Sequence, residues 1–137
     1  MTKFPKIDNC IVCEDARIEL GSKISLMGFF GICPYVNIFV RDLSQRVSVM
    51  LMFLGRGGMG EISATANILD EDKTVLGTAI LRGVVDPERD NIILGSQFSM
   101  AVPREGKCTI QVIDSGKLQY ENSFIVRKGI PPSALPH

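Results

Sequence analysis

Apolar and polar residues alternate with a period of two along most of the chain. In Glu61–Leu69 every second residue is apolar, and this apolar set is Ile62, Ala64, Ala66 and Ile68. Segments 22–31 and 107–114 show the same alternation. Since successive side chains of a strand point to opposite faces, the pattern predicts strands with one buried and one exposed face.

Short polar segments separate these strands. The turn-forming sequences are DEDK at 70–73, DPERDN at 86–91, VPREGK at 102–107 and DSGK at 114–117,. About eight or nine strands result, which predicts a single-domain antiparallel β-sandwich over residues 1–128 and leaves a small β-barrel as the alternative. RDLSQR at 41–46 favours a short helix or turn, and residues 129–137 form a proline-rich tail.

The segment Gly55–Gly60 reads GRGGMG, which matches the G-x-G-x-x-G pattern of dinucleotide-binding loops. In those loops the glycines follow a strand and open a helix, whose N-terminus holds the pyrophosphate. Here a strand precedes the glycines, but the segment that follows alternates with a period of two. The sequence therefore predicts a glycine-rich turn between two strands.

The segment Val47–Leu54 is apolar on both of its strand faces. Val47, Val49, Leu51 and Phe53 form one face, whereas the other carries Met50, Met52 and Leu54. A strand of a two-layer sandwich normally presents one face to water. Either the same chain buries this second face, or Met50, Met52 and Leu54 are interface candidates for a homo-oligomer, most simply a dimer.

Charge and hydropathy exclude several partners. Fifteen basic residues balance fifteen acidic ones, and the basic residues form no stripe, so no nucleic acid is expected as a partner,. No apolar run approaches the roughly 20 residues that span a bilayer, so no membrane is expected either. The N-terminus has no apolar signal-peptide core, which predicts a cytoplasmic location with reduced thiols.

The cysteines and the single histidine do not predict a catalytic or cofactor site. Cys10 and Cys13 form a C-x-x-C motif inside an expected strand, where residues three apart point to opposite faces,. We expect buried structural thiols there, with a zinc site and a redox site as the alternatives. The only histidine is His137, which removes histidine-based catalysis,. No cofactor and no catalytic residue is assigned.

Two acidic turns are the candidate for a calcium site. Asp70 and Asp72 lie in one turn, and Asp86 and Asp90 in another. Aspartates on loops at one end of a sandwich can bind Ca²⁺, whereas aspartates also favour turns for purely local reasons. Asp15 and Arg17 should share a strand face, where an ion pair can form.

The stretch IVCEDARIELGSKISLMGFFG at 11–31 contains an acidic cluster followed by Gly21-Ser22-Lys23-Ile24-Ser25-Leu26-Met27-Gly28-Phe29-Phe30-Gly31. It resembles an uncharacterised bacterial β-sandwich family, a domain of unknown function (DUF6941-like). Segment 104–129 also looks like the last hairpin of many β-sandwich modules. The resemblance implies a sandwich and no particular activity.

These observations favour a non-enzymatic β-sandwich interaction or assembly module that self-associates or binds another protein. The alternative function is a ligand-binding, Ca²⁺-binding or catalytic sandwich that uses the loop carboxylates.

Overall fold

The computed structural model describes residues 2–20, 23–88 and 91–130, and this part of the chain is all-β. Residues 131–137 of the predicted tail lie outside it. The nine strands are β1 (Lys6–Glu19), β2 (Lys23–Ile32), β3 (Asn37–Val40), β4 (Arg46–Arg56), β5 (Gly60–Leu69), β6 (Val75–Val85), β7 (Ile92–Ala101), β8 (Gly106–Asp114) and β9 (Lys117–Lys128). Within these ranges there is no helix, and hence none that could cross a membrane. Segment 41–45 is a turn.

The strands form two sheets, which confirms the predicted β-sandwich. One sheet has the order β2-β1-β4-β7 and the other the order β3-β9-β8-β5-β6. Neighbouring strands are antiparallel except for β3 and β9, which run parallel. The first sheet therefore has β2 and β7 at its edges, and the second has β3 and β6.

The core lies between the sheets and consists of alternate side chains from each strand. Phe53 of β4 and Phe124 of β9 are its largest fully buried residues. The ring of Phe53 meets Tyr120 of β9 edge-to-face, with 6.0 Å between ring centroids and an interplanar angle of 83°. The apolar residues of the alternating pattern thus pack into one core between the two sheets,.

The glycine-rich segment Gly55–Gly60 contains the end of β4, a turn at 57–59 and the start of β5, and it carries the chain from one sheet to the other. No helix follows it, so the turn interpretation is confirmed. Gly58 has φ +86°, and a Cβ there would lie 2.9 Å from the Lys3 carbonyl oxygen. Met59 exchanges two backbone hydrogen bonds with Lys3, of 2.8 and 2.9 Å. Glycine is needed at position 58 because the backbone of this turn packs closely against the backbone at Lys3 and Pro5,.

Candidate functional site

A two-stranded arm projects from the first sheet. β1 pairs with β4 only as far as Cys13, opposite Met50, but it pairs with β2 as far as Glu19. Beyond Cys13 the hairpin continues without a third strand. We call Glu14–Leu20 and Lys23–Gly28 the arm, which extends about 20 Å at the rise of a strand.

The arm has one apolar and one polar face. The cross-strand pairs Ala16–Leu26 and Ile18–Ile24 alternate with Asp15–Met27, Arg17–Ser25 and Glu19–Lys23. On the apolar face Ile18 is 86% exposed, and Leu20 at the end of the arm is 95% exposed. A two-stranded ribbon cannot bury these side chains by itself, and no second layer covers the arm within the part of the chain that the structure describes.

Strand β2 is also a free sheet edge. None of its ten residues is buried, and its exposed large apolar side chains are Ile24, Leu26, Met27, Phe29 and Ile32. Natural edge strands are usually blunted by charge or proline, whereas β2 has Lys23 at one end and no proline. Of the other described edges, β6 and β7 pack against each other and β3 is four residues long.

The methionine face of β4 continues the apolar surface of β2. Met52 lies in register between Ile11 and Gly95, and it is 6% exposed. A Cβ on Gly95 would be 2.8 Å from the Met52 sulfur, so the methionine lies across that glycine. Met50 and Leu54 are half-buried. The three interface candidates are thus partly covered by their own sheet, and the more exposed side chains belong to β2 and the arm.

A cleft of about 780 Å³ opens where β1 leaves β4. Phe30, Ile38, Val40 and Val47 supply apolar lining, of which Ile38 and Val40 belong to β3 in the opposite sheet. The Gln97 amide Nε2 donates to the Glu14 carbonyl oxygen (3.3 Å) and to the Ser48 hydroxyl (3.2 Å), so it links the walls of the cleft. The cleft is a notch in the first sheet, and polar and apolar residues contribute equally to its lining.

Glu14 and Asp15 line the arm side of this cleft, but as consecutive strand residues they point to opposite faces of the arm, and the Glu14 side chain lies over Gly28,. Asp15 and Arg17 share the polar face of the arm, yet within the described ranges the ion pairs are Arg56–Asp8, at 3.2 Å, and Arg104–Asp72. Asp15 Oδ1 instead accepts from the Ala16 amide at 2.8 Å. On the opposite wall Arg46 donates to the Ser99 hydroxyl and carbonyl, at 3.2 and 2.8 Å. Within the described ranges neither Glu14 nor Asp15 forms an ion pair.

The four calcium candidates do not meet at one site. Asp70 and Asp72 lie in the turn before β6, while Asp86 follows its end, so the whole length of the strand separates them. Asp90 lies outside the described residues. Over the ranges that the structure describes, no three His, Cys, Asp or Glu side chains are grouped to hold a metal ion. Asp70 and Asp86 each accept a hydrogen bond from a backbone amide of their own turn, and Asp72 forms an ion pair with Arg104.

The cysteines are buried, free thiols. Cys10 faces the core, whereas Cys13 pairs with Met50 on the outer face, so the two point to opposite sides of the sheet. Cys33 donates its backbone N–H to the Cys10 carbonyl at 2.9 Å. A hydrogen bond between the thiols of Cys10 and Cys33, together with burial, raises the pKa of Cys10. The same hydrogen bond lowers the pKa of Cys33 and outweighs the opposite effect of burial there.

Burial, reinforced by Asp70 and Glu71, raises the pKa of Cys108 from 9.0 to about 11. The folded protein keeps this proton where the unfolded chain loses it, so we expect the free energy of unfolding to fall as pH rises from about 9 to about 11. Urea unfolding at about pH 8 and about pH 10.5 measures the fall, and Cys108→Val should reduce it. An equal fall in the variant would contradict this assignment.

No protein-family model and no curated protein matches the chain. Among solved structures, it is similar to a glycosyl hydrolase family 2 member from Bacteroides cellulosilyticus DSM 14838, with 8% identity and a TM-score of 0.49 over 75% of this chain. A second family 2 structure from Bacteroides cellulosilyticus gives 8% identity and a TM-score of 0.48 over 92% of this chain. The chain spans 17% and 24% of those two chains. Membership of the DUF6941-like family stays a prediction.

Proposed function

We propose that this protein is a non-enzymatic β-sandwich interaction module that self-associates, most simply as a two-fold dimer, through the arm and strand β2. The observation that carries the proposal is the exposure of β2, which has no buried residue along its length. Apolar surface of this extent marks interaction sites in most soluble proteins.

A second copy of the chain suits this surface for two reasons. A two-fold axis uses the same surface of both copies, so every contact between the apolar residues of the two copies is made twice. The formal net charge is zero at neutral pH, so two copies do not repel each other over long range,. Burying the arm and the β2 edge would also remove an unprotected strand edge from solvent.

Leu26→Lys is expected to shift the protein from dimer to monomer, because it places a charge in the apolar face of the arm. We expect its dissociation constant to rise at least about tenfold. Sedimentation equilibrium over a concentration series measures this change. Val84→Lys is the matched control, since Val84 is a 71% exposed residue on β6, and it should associate as the wild type does.

A wild-type chain that stays monomeric at every concentration would overturn the proposed function. If Leu26→Lys and Val84→Lys weakened self-association equally, the result would contradict an interface at the arm. Circular dichroism melting of each variant separates lost association from lost folding.

A further inference from the structure

We infer that the arm of a second copy occupies the cleft between β1 and β4, and that the two copies exchange arms in this way. This inference rests on the proposed self-association and specifies which surfaces meet. Each copy contributes one arm and one cleft, so the contact is made twice across the two-fold axis.

The backbone of β4 along the cleft can pair with an added strand. Residues Arg46–Val49 of β4 pair with β7 on one side, but β1 pairs with β4 only from Met50 onward. The cleft side of these residues therefore has no strand partner within the described structure. Added strands pair with such open edges through main-chain hydrogen bonds, and side-chain pockets then give the specificity.

Apolar residues occur both at the end of the arm and in the cleft. The end of the arm exposes Ile18, Leu20 and Ile24, which no other element within the described ranges buries. In the cleft Phe30 is half-buried, and the neighbouring apolar lining residues Ile38, Val40 and Val47 belong to the core. The arm of the same copy forms one wall of this cleft through Glu14, Asp15 and Met27, so it cannot also fill the space between the walls. A second copy meets no such obstacle.

Charge also favours a second copy. The cleft is lined by Glu14, Asp15 and Arg46, whereas the end of the arm carries Arg17 and Lys23 together with Glu19. The charged residues that line the cleft therefore sum to one negative charge, and those of the arm end sum to one positive charge. Opposite charges facing each other across an interface fix its register and suppress wrong pairings.

Mixing two charge-reversed variants tests the arm exchange. Asp15 and Lys23 are four residue positions apart along the hairpin, about 13 Å, so they do not pair within one copy. Under arm exchange, Asp15→Lys alone and Lys23→Glu alone each place like charges in both contacts. We expect each to raise the dissociation constant about tenfold. An equimolar mixture forms a mixed dimer with opposite charges in both contacts, and it should associate within about threefold of the wild type.

Native mass spectrometry of the mixture, with one variant isotope-labelled, resolves the mixed dimer from the two homodimers. Glu61→Lys, an exposed charge reversal on β5, is the control, and it should neither weaken association nor rescue a partner. Hydrogen exchange at Arg46–Val49 gives a second readout, and its protection should increase with protein concentration.

Wild-type dimers without rescue in the mixture would overturn the arm exchange and leave the proposed self-association intact, with direct pairing of β2 edges as the remaining geometry. Protection of Arg46–Val49 that is independent of concentration would place a segment of the same chain in the cleft, and would also overturn the inference. A monomeric wild type would overturn both proposals.

Discussion

Replacing Phe53 by alanine is expected to lower the free energy of unfolding by about 3–5 kcal/mol. Phe53 is fully buried on β4, the inner strand that joins β1 to β7. Its cross-strand neighbours are Cys10 and Leu94, and its ring packs edge-to-face against Tyr120 in the other sheet. Alanine removes this inter-sheet contact and leaves a cavity that rigid strands on both sides cannot close.

Urea unfolding at one fixed protein concentration measures this loss, since association alters apparent stability. Tyr35→Ala is the matched control, because Tyr35 is an aromatic residue that is 87% exposed. We expect it to change stability by less than about 0.5 kcal/mol. A loss below about 1 kcal/mol for Phe53→Ala would contradict the packing described above.

Asp70→Ala is expected to cost about 2–3 kcal/mol, because the Asp70 carboxylate organises the turn between β5 and β6. One of its oxygens accepts from the backbone amides of Asp72 and Thr74, both at 2.9 Å. Asp70 is also the one buried polar residue of the described chain, at 9% exposure. Its removal leaves two amides without their acceptor in a partly buried turn.

Asp86→Ala provides the comparison within the same protein. Asp86 accepts one backbone hydrogen bond, from Glu88 at 2.9 Å, in an exposed turn. Water can replace that acceptor, so we expect a loss below about 1 kcal/mol. Thermal unfolding of both variants, with Asp70→Asn as the variant that keeps one acceptor, gives the ranking. Equal losses at the two positions would show that burial of the turn is unimportant.

Local sequence features were sufficient to predict the fold class. β5 has one face in the core and one outside, so its alternation is visible without knowledge of its neighbours. The sequence DSGK at 114–117 also predicts a short hairpin, because glycine favours such turns. The structure has a two-residue loop there, in which Ser115 and Gly116 both adopt positive φ. Sheet order was not predictable, since β1 lies between β2 and β4 and β3 pairs with β9.

The candidate site depends on strand lengths and register, which alternation alone does not contain. The alternation of Ile24 and Leu26 predicts a half-buried strand, but it does not show that β4 stops supporting β1 after Cys13. On β4, Met50, Met52 and Leu54 lie on the face opposite to the core residues. Met52 lies across Gly95 because it pairs with a strand more than forty residues later, which no local pattern specifies.

The parallel pairing of β3 with β9 has a consequence for how the chain folds. Asn37 pairs with Ile125, so β3 obtains its partner strand only when β9, the last strand in the chain, has docked. Closing so long a loop costs entropy before any contact repays it. Proteins dominated by such distant contacts fold on the order of milliseconds to seconds. The β1–β2 hairpin is local in sequence and can form early, whereas the floor of the cleft that β3 supplies is completed late.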